Sequence, residues 1–169
     1  MNNNHRCFYS THIDLLLEFR TQIVEVLNPT LATTLDKKNQ VKQAHWNVKG
    51  INFYQLHELF DAIASELERY IDLFAEQITA LGGVALGTAR IAAQYSTLPE
   101  YPLENSEGKY HLQALAERLA IYAMSLRESI DVTVDLGDAD TSESTRKFRG
   151  RLTRGCGFSM PICKLKKKL

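Results

Sequence analysis

The stretch NFYQLHELFDAIASELERYIDLFAEQITALGG, residues 52–83, meets no glycine or proline until Gly82 and Gly83. Its apolar residues return at helical spacing between polar ones, and the paired glycines supply a stop, which predicts one long amphipathic helix. Such a helix has to bury one side against partners, so the rest of the chain is constrained to provide them.

Upstream, Leu16, Leu17, Ile23, Val24, Leu27, Leu31, Leu35 and Val41 recur mostly every three or four residues. They predict a helix over residues 13–48, kinked or broken at Pro29 and ended by Gly50. Downstream, LGTARIAAQYSTLPEYP is too short and too interrupted for another long helix and reads as a crossover carrying one short helical segment. A further long helix starts near Ser106, with Leu112, Leu115, Leu119, Tyr122, Ala123, Leu126 and Ile130 as its buried stripe, and DLGDADTS then makes an acidic turn. Three long helices, the last two separated by a long connection, predict an all-α bundle that lacks its fourth member.

The tail STRKFRGRLTRGCGFSMPICKLKKKL does not look like that member. Gly150, Gly155, Gly157 and Pro161 interrupt it and its strongly apolar residues are poorly spaced, so a folded domain is expected over 1–143 and a disordered basic tail over 144–169. The formal net charge of zero hides the same boundary, because every acidic residue lies before Ser144 and nine of the 20 basic residues lie after Glu143. A body of net charge −9 does not advertise nucleic-acid binding. Cys7, Cys156 and Cys163 form neither a CxxC pair nor an even set, which indicates reduced thiols. No apolar run reaches membrane-spanning length and no signal peptide is evident, so a soluble, cytoplasmic protein is expected.

Two pairs on the central helix carry the chemistry. His57 and Asp61 are four residues apart, as are Asp72 and Glu76. Eleven steps of about 100° bring the second pair to within about 20° of the first, while a rise of about 1.5 Å per residue parts them by roughly 16 Å. One copy of the helix cannot close a metal site, but two copies packed antiparallel about a twofold axis near Glu66 and Leu67 bring His57 and Asp61 of one to Asp72 and Glu76 of the other. His45, just before the first turn, completes the first share, and imidazole with carboxylate is a ligand set suited to iron. The alternative for the four-residue line-up is a solvated acidic stripe. Trp46 is read as a core or interface aromatic, with electron donation beside a metal as the alternative. His5, His12 and His111 are read as surface residues. Asp135, Asp138 and Asp140 are read as a solvated cap, with cation guidance as the alternative.

The motifs QAHWNVKG, FYQLHELFD, IDLFAEQ and LGGVALGT together resemble the Dps family of miniferritins, DNA-binding proteins from starved cells, over roughly residues 12–142. The resemblance implies a ferritin-like four-helix subunit, a dodecameric shell, and di-iron ferroxidase sites shared between twofold-related chains. It carries the ligand roles onto His45, His57 and Asp61 from one chain and Asp72 and Glu76 from its partner. It further implies oxidation of iron(II), preferably by hydrogen peroxide, storage of ferric mineral, protection of DNA, and acidic threefold pores near Asp135, Asp138 and Asp140. Ferritins that close their di-iron centre inside one bundle use Glu-x-x-His, and no such motif occurs here.

Two departures bear on function. DNA binding in the family depends on a Lys-rich arm, and the amino-terminal arm here is nearly uncharged, leaving only carboxyl-terminal lysines to meet phosphate through charge. The tail lacks the family's fourth helix, and a frame slip would explain it. Reading each codon's third base with the next codon's first two allows residues 144–168 to become YTEISRALDKGLWFLDAHLQIEKK, in which Met160–Pro161 must give Ala. The expected functions are therefore a ferroxidase and iron-storage shell, associated with the nucleoid if DNA is bound; a nucleoid coat that does not catalyse; or an inactive, frame-altered product.

Overall fold

The computed structural model describes residues 8–159, and these form five helices: α1 (Leu17–Asn47), α2 (Phe53–Ala80), α3 (Ala89–Tyr95), α4 (Gly108–Asp135) and α5 (Ala139–Ser159). Four are long enough to make a bundle, and their pairing can be read from the contacts between them. His45 meets His57 and Lys42 meets Asp61, so α1 and α2 run antiparallel. Thr30 bonds Ser129, Thr34 bonds Tyr122, and the Lys37 ammonium donates to the Leu115 carbonyl, so α1 and α4 also run antiparallel.

Helices α2 and α4 consequently point the same way, and the chain between them has to climb the length of the bundle. A helix of 28 residues spans about 42 Å at 1.5 Å per residue, which is why residues 81–107 form a long crossover with α3 lying on α1 rather than a tight turn. Gly82 makes the turn into it at φ +87°, where a Cβ would lie 2.4 Å from the Tyr9 carbonyl oxygen. The incoming arm crosses there, and its Tyr9 N–H donates to the Gly82 carbonyl at 2.8 Å. The short helical segment expected in the crossover is α3.

α1 runs unbroken through Pro29. Proline removes one backbone hydrogen bond and strains the preceding turn; here the helix is held on two sides, by α2 and by α4, and burial of Ile23, Val24, Leu27 and Leu31 outweighs that loss.

The largest correction concerns the tail. It is not irregular from residue 144: α5 continues to Ser159 and supplies the fourth member of the bundle. Its inward stripe is Thr141, Thr145, Phe148 and Leu152, spaced four, three and four apart and all buried. Phe148 is fully buried, stacked on Tyr70 with ring centroids 3.6 Å apart and edge-on to Phe74 and Tyr122 at 5.8 and 5.9 Å. Gln77 donates to Thr141 at 2.7 Å and Arg151 reaches Glu66 at 3.4 Å, so α5 lies antiparallel along α2. A glycine in a helix interior costs about 1 kcal/mol relative to alanine, whereas burying one phenylalanine contributes about 1.5–3 kcal/mol. Gly150 is therefore tolerated. Cys7 and the residues from Met160 onward, with Pro161 and Cys163, lie outside the described residues.

The acidic turn also has a definite role. Asp138 is buried and caps α5, accepting from the Thr141 backbone N–H at 3.0 Å and the Thr141 hydroxyl at 2.5 Å. Its carboxylate is engaged within the fold rather than solvated, while Asp135 and Asp140 are exposed. His111, expected at the surface, is buried, with its Nδ1 2.7 Å from the Tyr101 hydroxyl. His12 is exposed, as expected, and His5 lies outside the described residues. Among the described residues no helix is long and apolar enough to cross a membrane.

Candidate metal centre

Two of the candidate ligands are brought together by the tight corner between α1 and α2. His45 sits in the last turn of α1 and His57 in the first turns of α2, and their rings stack with centroids 3.7 Å apart and planes 24° from parallel. Nδ1 of His45 lies 3.0 Å from the His57 carbonyl oxygen, and Nδ1 of His57 lies 3.1 Å from the His45 carbonyl oxygen. A carbonyl oxygen can only accept, so both Nδ1 atoms carry the proton and both Nε2 lone pairs are left free. The final carbonyls of a helix lack intrahelical partners, and His57 satisfies one of them. The same bonds that close the corner thus fix the tautomer a metal ligand requires.

Asp61 lies one turn further along α2 and is exposed. The Lys42 ammonium donates to its Oδ1 at 2.8 Å and, through that bond and its charge, holds the carboxyl below the ordinary carboxylate range. Asp72 and Glu76 are exposed on the same side of α2, about 16 Å along the axis from the first pair. Among the described residues no group of three or more His, Cys, Asp or Glu side chains within one chain is placed to hold a metal ion. Within one chain, His45, His57 and Asp61 lie at the start of α2, and Asp72 and Glu76 lie nearer its end.

Trp46 is 67% exposed, which excludes a place in the core of the single chain. The Lys42 ammonium lies 5.9 Å from its ring centroid. Tyr54 and Ile51 are also widely exposed at this corner.

The Ferritin-like domain family matches residues 24–150 of the chain. The DNA protection during starvation protein of Agrobacterium fabrum is 35% identical over 135 residues, covering 80% of this chain and 83% of its own. The chain belongs to the Dps family of ferritin-like proteins. Among solved structures, DpsC from Streptomyces coelicolor superposes with a TM-score of 0.85 at 28% identity, covering 94% of this chain and 92% of that one. The Dps of Mycobacterium smegmatis in its tetragonal form gives 0.84 at 28% identity, over 89% and 90%. The Dps-family bundle is thus present over nearly the whole described chain, α5 included.

Sequence reasoning missed the lysines that face the acidic stripe. Lys38 pairs with Glu68 and Lys42 with Asp61, two i,i+4 cations on α1 set against carboxylates on α2. Their spacing, with Lys42 three residues before His45, is visible in the sequence once α1 and α2 are known to be antiparallel.

Proposed function

We propose that the chain is a ferroxidase and iron-storage protein: it oxidises iron(II), preferably with hydrogen peroxide, at sites shared by two copies, stores the ferric product in a dodecameric shell and so protects DNA. Membership of a ferritin-like DNA-protection family supports iron handling and DNA protection at the coarser level. The observation that carries the finer reading is the reciprocal His45–His57 pair, which leaves two Nε2 lone pairs directed away from the protein's own hydrogen bonds.

Iron(II) is the substrate. In the twofold arrangement, His45, His57 and Asp61 of one copy face Asp72 and Glu76 of the other, so each dimer has two equivalent sites of mixed imidazole and carboxylate ligands. Carboxylates with several oxygens favour the ferric product over the ferrous substrate through their charge. Two iron(II) ions supply the two electrons that break the O–O bond of one peroxide, leaving hydroxide or water, and a paired transfer of this kind releases no hydroxyl radical. Preference for peroxide rests on the family resemblance. The carboxylate of Glu58, next to His57, is exposed and adds to the negative field that attracts the cation.

The test is iron(II) oxidation by the purified assembly and by His57→Ala and Asp61→Ala. Both variants should keep the assembly and lose at least about tenfold in initial rate, as expected when a metal ligand is removed. Wild-type rates in both would overturn the site.

A further inference from the structure

The crossover does more than connect α2 to α4, because residues 96–101 are stitched at successive positions to both helices beneath them. The Ser96 hydroxyl donates to Asp36 at 2.5 Å, the Thr97 N–H donates to the Thr33 hydroxyl at 3.3 Å, and Gln40 donates to the Pro99 carbonyl at 3.1 Å, all on α1. On α4, Arg118 donates to the Glu100 carbonyl and lies over the Tyr101 ring, 5.5 Å from its centroid. Tyr101 is buried, and its hydroxyl meets Nδ1 of buried His111 at 2.7 Å.

His111 stands in the first turn of α4, and that turn is pressed onto the histidine corner. Its ring is edge-on to Phe60, one turn beyond His57, with centroids 6.5 Å apart. The Lys49 N–H donates to the Ser106 carbonyl at 2.8 Å, and the backbones of Lys49 and Glu107 form an isolated parallel β-bridge. At Gly108 a Cβ would lie 2.2 Å from Leu56 Cδ1, so the start of α4 sits tightly on the first turn of α2.

We propose that Tyr101 and His111 are positioning residues for the iron site: with the crossover strap they clamp the end of α1 against the start of α2 and so hold the His45–His57 pair in register. Neither side chain is one of the candidate ligands; they act through Phe60 and the backbone β-bridge between residues Lys49 and Glu107. The inference rests on the reading of His45 and His57 as ligands.

Tyr101→Phe removes one hydroxyl and keeps the ring on which Arg118 and the core pack. Thr34→Val, which removes a buried hydrogen bond to Tyr122 in mid-bundle, is the comparison. Two quantities are measured on the full-length protein well below its unfolding temperature: amide hydrogen exchange at residues 44–49 without metal, and affinity for cobalt(II), a probe that does not turn over. One lost buried hydrogen bond corresponds to about a fivefold change. Tyr101→Phe should speed exchange at residues 44–49 and weaken cobalt(II) about fivefold, while Thr34→Val should move neither. Unchanged exchange in Tyr101→Phe overturns the clamp. Faster exchange with unaltered cobalt(II) affinity overturns its role in positioning ligands. If the wild type binds no cobalt(II) that His57→Ala abolishes, faster exchange still establishes the clamp and the metal reading is what fails.

Discussion

His45 and His57 each donate Nδ1–H to the other's backbone carbonyl, so the corner between α1 and α2 is closed by the two side chains whose remaining nitrogens are free. Structure and chemistry are coupled here, since the bond that satisfies a helix-end carbonyl also selects the tautomer. Nitrogen-15 NMR of the metal-free protein above pH 7 should therefore show both imidazoles protonated at Nδ1. An Nε2-protonated ring at either position would remove that half of the ligand set.

Lys42 occupies the Asp61 carboxylate at 2.8 Å, so an arriving cation competes with an ammonium already in place. Lys42→Met should tighten cobalt(II) binding only slightly, because an ion pair on an exposed carboxylate is weak and screened by solvent. The same change should raise the pH at which Asp61 takes up its proton, because its depressed pKa is caused first by the Lys42 hydrogen bond and charge. The sign follows from linkage. The pair's contribution is present above the ordinary value of 3.8 and lost as pH falls through the lowered one. A carbon-13 titration of the Asp61 carboxyl in both proteins checks this, and an identical midpoint would mean that the ion pair does not persist in solution.

Phe148 is what holds α5 to the other helices. Phe148→Ala should cost about 3–5 kcal/mol in urea unfolding, the range for a large aromatic lost from a packed core. Arg146→Ala, on the exposed side of the same helix, should stay within about 0.5 kcal/mol. Equal stabilities for the two variants would mean that α5 is not docked.

The same helix marks the limit of what the sequence disclosed. α2 was legible because its apolar period is uninterrupted, and the crossover because glycine and proline cluster there. α5 was not, since two of its four inward residues are threonines, Thr141 and Thr145, whose methyl groups pack while their hydroxyls bond within the fold. A count of strongly apolar residues passes over them. That Asp61, Asp72 and Glu76 share one exposed side of α2 followed from helical geometry alone, but Lys38 and Lys42 became visible as partners only once the α1–α2 register was fixed. His111 was misjudged because nothing local announces that the crossover will bury it.

Asp138 gives a separate test of the acidic turn. Asp138→Ala should lower stability by about 1 kcal/mol through loss of the α5 cap, and Asp140→Asn, exposed beside it, should leave stability unchanged. If Asp140→Asn instead slows iron(II) uptake without altering stability, the exposed carboxylates of the turn guide cations, which Asp138 is too deeply engaged to do.

Burial holds the His111 imidazole below its ordinary pKa of 6.5, and the Asn47 backbone offsets this only in part. The folded chain therefore binds a proton less readily at this residue than the unfolded chain does. Stability contributed by neutral His111 is complete above the unfolded pKa and falls as pH drops from about 6.5 towards the lowered folded value. Unfolding free energies measured between pH 5 and pH 7.5 should thus rise with pH, and the rise should be shallower in His111→Gln, which cannot be protonated. Equal slopes in wild type and His111→Gln would show that His111 is not desolvated, and the contact with Tyr101 would then have to open to water. Since the clamp on the histidine corner runs through that contact, the slope also reports whether the corner stays closed as the solution is acidified.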